Sequence, residues 1–302
     1  GLSERKIPVL LISGNHDSSE RLAFGRKLLS ESEVYISEVF GGSVTKVTKE
    51  DEYGKINFYL IPYLKPATVR HYMPEKEIAD YQSAMEAVIE SLDVDFHDRN
   101  VFLAHQFLTG ALRSESEEVS VGGLDDISAE IFEGIDYVAL GHIHRPQSVF
   151  RETVRYCGTP LKYSFSEAEH KKSVTVVTMK EKGDVEIKER ELIPLRDMRK
   201  IKGSYEELTN RENYEGTAVG DYLAVTLTDE EDIPGVMGRL SSIYPHIMKL
   251  EYDNRRTRAA GIDYLGEQAY EKKPGELFEE FYEKQNGMPM TEEQRIYLQE
   301  LI

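Results

Sequence analysis

Ile7-Pro8-Val9-Leu10-Leu11-Ile12-Ser13-Gly14-Asn15-His16-Asp17 is the stretch on which the fold turns. Residues 7–12 form a continuous apolar run, and such a run predicts a central strand buried on both faces. It ends abruptly in small and polar residues. A helical pattern over 18–30 follows, carrying Leu22, Phe24, Leu28 and Leu29, with Gly25 interrupting its apolar stripe. Two further apolar segments close in the same manner. Residues 101–105 end on His105, and Tyr137–Gly141 runs into His142-Ile143-His144. In a sheet joined by crossover connections, ligands collect beyond the carboxyl ends of the strands. Three polar clusters, each just past a buried strand, are thereby predicted to converge.

The residue types suit one chemistry. Imidazole nitrogen and amide oxygen are donors for Mn²⁺, iron, Zn²⁺ and similar ions. His142 and His144 stand two apart. On a strand they would share a face, whereas on the loop after Gly141 they can turn toward two neighbouring metals. Two ions about 3.5–4 Å apart clamp a phosphate and stabilise its leaving oxygen. A neutral histidine near such a centre can orient the phosphate, and a protonated one can deliver a proton. Singly the clusters are weak: a strand-end histidine is usually structural, and Gly-Asn-His-Asp also suits a plain turn. Their order, each after an apolar strand, carries the inference.

The rest of the chain sets bounds. Its 302 residues are 40% hydrophobic, enough for a sizeable core. No stretch approaches the roughly 20 apolar residues of a membrane span, and residues 9–12 are too short for a signal peptide's apolar core. A soluble, cytoplasmic protein is the expectation. A lone cysteine, Cys157, excludes an internal disulfide and is read as a small buried residue. The formal charge of −18 argues against a surface that grips DNA throughout, though not against a local metal site facing phosphate. Lys171-Lys172 and Arg255-Arg256-Thr257-Arg258 read as solvated basic patches.

Further strands are predicted at 56–61 and, in near-alternating antiparallel runs, across 148–193. A helix is predicted over 75–92, with Pro74 at its start. After Leu195 a β-α-β set follows: strand Tyr222–Leu227, a helix opened by Pro234, and a strand over 246–252. Beyond Arg258 come a polar linker and two short helices. The first carries Leu277, Phe278, Phe281 and Tyr282 on one face; Asn286-Gly287 stops it. The second opens on Thr291-Glu292-Glu293-Gln294, a capping-box pattern, and offers Ile296, Tyr297, Leu298 and Leu301. Those helices either fill a partner's groove or pack on the small domain. His71 reads as a loop residue, His246 as structural, and Tyr163 and Phe165 as core. His170 is a candidate for approaching phosphate. Gly122-Gly123 lacks the strand–helix context of a dinucleotide site.

Gly14-Asn15-His16-Asp17, Ala104-His105-Gln106 and Gly141-His142-Ile143-His144 resemble the third, fourth and fifth motifs of the calcineurin-like metallophosphoesterases. Val119-Ser120-Val121-Gly122-Gly123 is similar to a segment of one branch, the SbcD nuclease subunits. So are Tyr156-Cys157-Gly158-Thr159-Pro160-Leu161-Lys162-Tyr163-Ser164-Phe165 and Ser166-Glu167-Ala168-Glu169-His170-Lys171-Lys172-Ser173. The likeness covers nearly the whole chain. It implies an α/β fold: a four-layer αββα metallophosphoesterase sandwich with a small α/β capping domain and C-terminal helices. Residues 1–195 would form the nuclease domain, 196–258 the DNA-capping domain, and 259–302 a linker with helices that bind the SbcC ATPase.

By the same resemblance, Asn15, His105 and His142 bind one metal and His144 the other, while His16 assists the leaving group or orients the phosphate. Asp17 either orients His16 or finishes the turn. The implied activity is Mn²⁺-dependent cleavage of DNA, with Mg²⁺ possible, as double-strand exonuclease and single-strand endonuclease. The implied assembly is a homodimer within a heterotetramer, its dimer helix at 18–30. The alternatives are a small-molecule phosphatase or phosphodiesterase of the superfamily, and a non-catalytic assembly scaffold. One departure is large: no Asp-x-His precedes Ile7. The chain is thus expected to be a fragment without the family's first strands, its site lacking the bridging carboxylate.

Overall fold

The computed structural model describes residues 1–114, 117, 126–255, 257–258, 275, 278–279, 282–283 and 289–301. The segment 119–123 and most of the first C-terminal helix lie outside the described residues. The chain divides into two compact units, Gly1–Arg199 and Lys200–Ile302. Among the described residues no helix is long and apolar enough to cross a membrane.

The first unit begins with β1 (Val9–Leu11), the short helices α1 (Ser19–Ala23) and α2 (Arg26–Ser30), and β2 (Val34–Ile36). Then come β3 (Thr45–Asp51), β4 (Gly54–Leu60), α3 (Pro66–Tyr72), α4 (Tyr81–Glu90) and β5 (Arg99–His105). The strands β6 (Phe107–Leu108), β7 (Asp126–Ile127), β8 (Tyr137–Gly141), β9 (Gln147–Val149) and β10 (Arg151–Tyr156) follow. The hairpin β11 (Ser173–Met179) and β12 (Val185–Glu191) comes next.

Six strands make the main sheet, in the order β3-β4-β5-β8-β10-β9. The pairs β4–β5, β5–β8 and β8–β10 are parallel, and antiparallel β3 and β9 close the two edges. Strands β5 and β8 are buried almost throughout, as their unbroken apolar runs demand in the middle of a parallel sheet. On one face Phe102, Ala104, Val138 and Leu140 pack with Val69 of α3 and Met85 and Val88 of α4. Each of these buried side chains larger than alanine contributes roughly 1.5–3 kcal/mol. Toward the other face lies the β11–β12 hairpin. Arg99, buried at the start of β5, donates to Asp51, to the Gly54 carbonyl (2.7 Å) and to the carbonyls of Met179 (3.3 Å) and Lys180 (3.1 Å). Helices, main sheet and second sheet give the α/β class, and three of the four expected layers among the described residues.

Four local expectations change. β1 is not a central strand: among the described strands it pairs only with β2, and Leu11 is 38% exposed. Side chains alternate along a strand. Only Leu10 turns to the main sheet, lining with Val101, Leu103 and Ala139 an apolar cavity of about 550 Å³. The helix over 18–30 is two helices, because Gly25 adopts φ +79° between them. Phe24 is 86% exposed and Leu28 is exposed as well, so they do not cover a sheet. The helix expected over 75–92 starts at Tyr81, where Asp80 and Ser83 form a reciprocal capping box that outcompetes Pro74. Residues 66–72 form a helix with Pro66 in its first turn, so His71 is helical rather than in a loop.

A three-stranded sheet whose first strand begins two residues before the second unit runs β13 (Met198–Gly203), β14 (Tyr222–Leu227), β15 (Ile247–Tyr252), with β14 and β15 parallel. Helices α5 (Tyr205–Thr209), α6 (Arg211–Tyr214) and α7 (Val236–Ser241) complete it. Leu223, Val225 and Leu227 form a core with Val236, Leu240 and Tyr244. His246 is structural, its Nδ1 bonded to the Gly220 carbonyl at 2.9 Å. The last helix, α8 (Glu292–Leu301), opens on the capping box: Thr291 N donates to Gln294 Oε1 (2.9 Å) and Gln294 N to Thr291 Oγ (3.4 Å). Leu298 on it is buried and Tyr297 exposed.

Candidate functional site

The site grows from the turn after β1. Gly14 N donates to Asp17 Oδ2 (2.7 Å) and Asp17 N to the Gly14 carbonyl (3.3 Å), so Asp17 finishes the turn. Tyr63 N donates to the Ser13 carbonyl (2.9 Å) and fixes the turn beside the end of β4. Asn15 Oδ1 then lies 2.9 Å from Nε2 of His105, ninety positions away at the end of β5. The ring of His105 meets that of His142 edge-on, with centroids 5.3 Å apart. Glycine makes this approach possible. A Cβ on Gly14 would stand 2.7 Å from His105 Cε1, and one on Gly141 would stand 2.7 Å from His105 Nδ1.

His142 follows β8 at φ +98°, a conformation that L residues rarely adopt. Such strain costs about 1–3 kcal/mol and persists where the surroundings impose it. Here Gly141 is held in register with His105, and Ile143 is buried in the core. His144 is gripped on every side. Its backbone N donates to Glu117, its carbonyl accepts from Lys172 Nζ (2.8 Å) and Thr159 N (3.2 Å), and its Nδ1 lies 3.0 Å from Glu167 Oε1. Asn15, His16, His105, His142 and His144 all line one cavity of about 570 Å³, with Glu117 and Tyr163 also on its wall. The three clusters that the sequence predicts to converge do so.

Burial, and then the neighbouring His142, push the His105 imidazole down to about 4, against a smaller upward pull from Asp17. His105 is therefore neutral at physiological pH, the form that ligates metal. The donors fit a divalent ion in kind and in spacing. Two adjacent ligands of an octahedral ion, each at about 2.1 Å, stand about 3 Å apart, and Asn15 Oδ1 and His105 Nε2 are separated by 2.9 Å. In number they fall short: among the described residues no three His, Cys, Asp or Glu are grouped to hold a metal.

Three residues differ from their sequence expectation. Lys172 is buried, not part of a solvated patch, although Lys171 beside it is exposed. Tyr163 is exposed rather than core, its ring edge-on to His144 at 5.4 Å. Cys157 is exposed. Glu117 and Glu167 were missed altogether. No local pattern separates Glu167 from exposed Glu169 two residues on; only the fold does.

Comparison with known proteins agrees with this geometry. The sequence model of the family described as Calcineurin-like phosphoesterase matches residues 2–146. That of the family described as Type 5 capsule protein repressor C-terminal domain matches residues 194–286. The fold, the histidine-lined cavity and these matches define residues 2–146 as a calcineurin-like phosphoesterase domain, of a class that works with divalent metal ions. The SbcD component of the nuclease SbcCD from Staphylococcus epidermidis is 30% identical over 250 residues, covering 82% of this chain and 66% of that protein. Its namesake from Staphylococcus saprophyticus is 31% identical over 250 residues, covering 82% and 65%. Within that class the chain is SbcD-like, resembling these proteins along 82% of its length. It spans just under two thirds of the length of these curated relatives.

Proposed function

We propose that this chain is the catalytic part of a metal-dependent DNA nuclease, acting with an SbcC ATPase in DNA repair and recombination as double-strand exonuclease and single-strand endonuclease. The observation that carries the reading is the convergence of Asn15, His16, His105, His142 and His144 on one cavity at the carboxyl ends of β5 and β8. The name of the two relatives supports the nuclease activity and the SbcC partner.

In this reading Asn15, His105 and His142 hold one ion and His144 the second, Mn²⁺ being the preferred metal and Mg²⁺ the alternative. When bound, such ions neutralise phosphate charge and activate water. His105 contributes as a neutral donor. Gly14 and Gly141 leave room for its ring. His16, on the cavity wall, orients the phosphate or protonates the leaving oxygen. With a charge of −18 on the chain, DNA phosphate is drawn to this local site rather than to the general surface. Residues 1–195 form the nuclease domain, 196–258 cap the DNA, and 259–302 dock on SbcC in the cytoplasm. Exposed Phe24 and Leu28 join two copies into the homodimer of a heterotetramer.

The test uses linear double-stranded and circular single-stranded DNA, with Mn²⁺ and SbcC present. His16→Ala should retain Mn²⁺ binding and slow cleavage about 10²–10⁴-fold. His142→Ala should weaken Mn²⁺ binding itself. Equal loss of metal in both variants would sink the assignment of roles. Hydrolysis of small phosphodiesters without DNA cleavage would point to a small-molecule phosphodiesterase, and no hydrolysis to a scaffold.

A further inference from the structure

Glu167 ends a single 3₁₀ turn, Phe165–Glu167, and its side chain is 0% exposed. A buried carboxylate is costly unless both oxygens are engaged. Oε1 lies 3.0 Å from His144 Nδ1, and Oε2 accepts from Lys172 Nζ at 2.6 Å. The Lys172 side chain is itself only 4% exposed. Its ammonium has three protons and three acceptors: Glu167 Oε2, the His144 carbonyl (2.8 Å) and Thr159 Oγ (2.8 Å). Lys172 thus grips the backbone of His144 directly and its ring through Glu167.

We propose that Glu167, its charge cancelled and its place fixed by Lys172, is a positioning residue that sets the tautomer and ring angle of His144. A carboxylate beside Nδ1 accepts a proton held there. With Nδ1 committed in this way, Nε2 carries the lone pair through which His144 acts in the cavity. An imidazole free to turn or to exchange tautomers would present that lone pair only part of the time. A ligating histidine is commonly oriented by just such a carboxylate. The inference rests on the reading of His144 as a working residue of the phosphodiester site. It adds two groups that do not line the cavity.

A simple folding staple would also be a buried ion pair, so the test must read the ring itself. The full chain, ¹⁵N-labelled and treated with chelator, is studied by long-range ¹H–¹⁵N NMR, with the His144 signals identified by their loss in His144→Ala. The wild-type spectrum should show the proton on Nδ1. A proton on Nε2 would overturn the proposal without any variant being needed. In Glu167→Met/Lys172→Met, which removes both charges together, His144 should show a mixture of tautomers. Mn²⁺ affinity, followed by electron paramagnetic resonance, should fall about 10–100-fold. Glu167→Gln, whose amide oxygen can accept the same proton, should restore the wild-type tautomer. An unchanged tautomer in the folded double variant would overturn the positioning role. A changed tautomer with Mn²⁺ affinity equal in wild type, double variant and His144→Ala would support the positioning and overturn His144 as a metal ligand.

Discussion

The strain at His142 can be measured separately from its chemistry by comparing His142→Gly with His142→Ala. Both substitutions remove the imidazole, so whatever the ring contributes by contact or charge cancels between them. What differs is a Cβ on a backbone held at φ +98°. Holding an L residue there costs about 1–3 kcal/mol. Glycine avoids that strain, but its freer unfolded chain takes back about 0.4–1 kcal/mol. The glycine variant should therefore be the more stable by about 1 kcal/mol. For a unit of this size that is a difference of about 2–4 °C in Tm. Urea unfolding of metal-free protein gives the number directly, as a change in midpoint at constant slope. The chain has no Trp, so far-UV circular dichroism is the signal. An alanine variant as stable as the glycine variant would refute the claim that the fold imposes this conformation. Both variants should bind Mn²⁺ more weakly than wild type, which would make His142 a position where stability and function pull in opposite directions.

Gly141→Ala places a methyl group 2.7 Å from His105 Nδ1. It should displace that ring, destabilise the first unit by about 1–3 kcal/mol and weaken Mn²⁺ binding in titration calorimetry. His105, held near 4 in the fold against about 6.5 in the unfolded chain, makes the metal-free protein acid-sensitive. Between those values the unfolded state binds more protons, so stability falls as pH drops from about 6.5 to about 4. The loss is on the order of 3 kcal/mol; a His105→Asn variant with the same pH profile as wild type would contradict this. Arg99→Met leaves the Gly54, Met179 and Lys180 carbonyls without their donor. It should cost about 1–3 kcal/mol in urea unfolding and raise amide exchange in the β11–β12 hairpin.

The convergence of the polar clusters was more legible in the sequence than the groups that support it. β5, β8 and β14 were legible nearly to the residue, because an unbroken apolar run bounded by polar groups has one economical reading. β1 has the same kind of run yet is half exposed, since apolar residues predict burial only where something covers both faces. Helix starts depended on side-chain capping: Asp80 and Ser83 decide α4, and Pro74 merely precedes it. Asn15, His105, His142 and His144 could be picked out as candidates because each lies at or shortly past the carboxyl end of an apolar strand. Glu167 and Lys172 could not, because their burial depends on contacts with His144 and Thr159 at distant chain positions. The exposures of Tyr163 and Cys157 were likewise misjudged from residue type alone.

The pairing of Asn15 with His105 across ninety residues has a consequence for the order of events during folding. Contacts of such long separation form late, after the loop-closure entropy between them has been overcome. The intervening chain contributes β2, β3, β4, α3 and α4, and β8 must then dock on β5 before His142 can meet His105. No local fragment of the polypeptide holds two of the three clusters. A partly folded chain therefore lacks the assembled constellation, which arises only once the parallel sheet has closed.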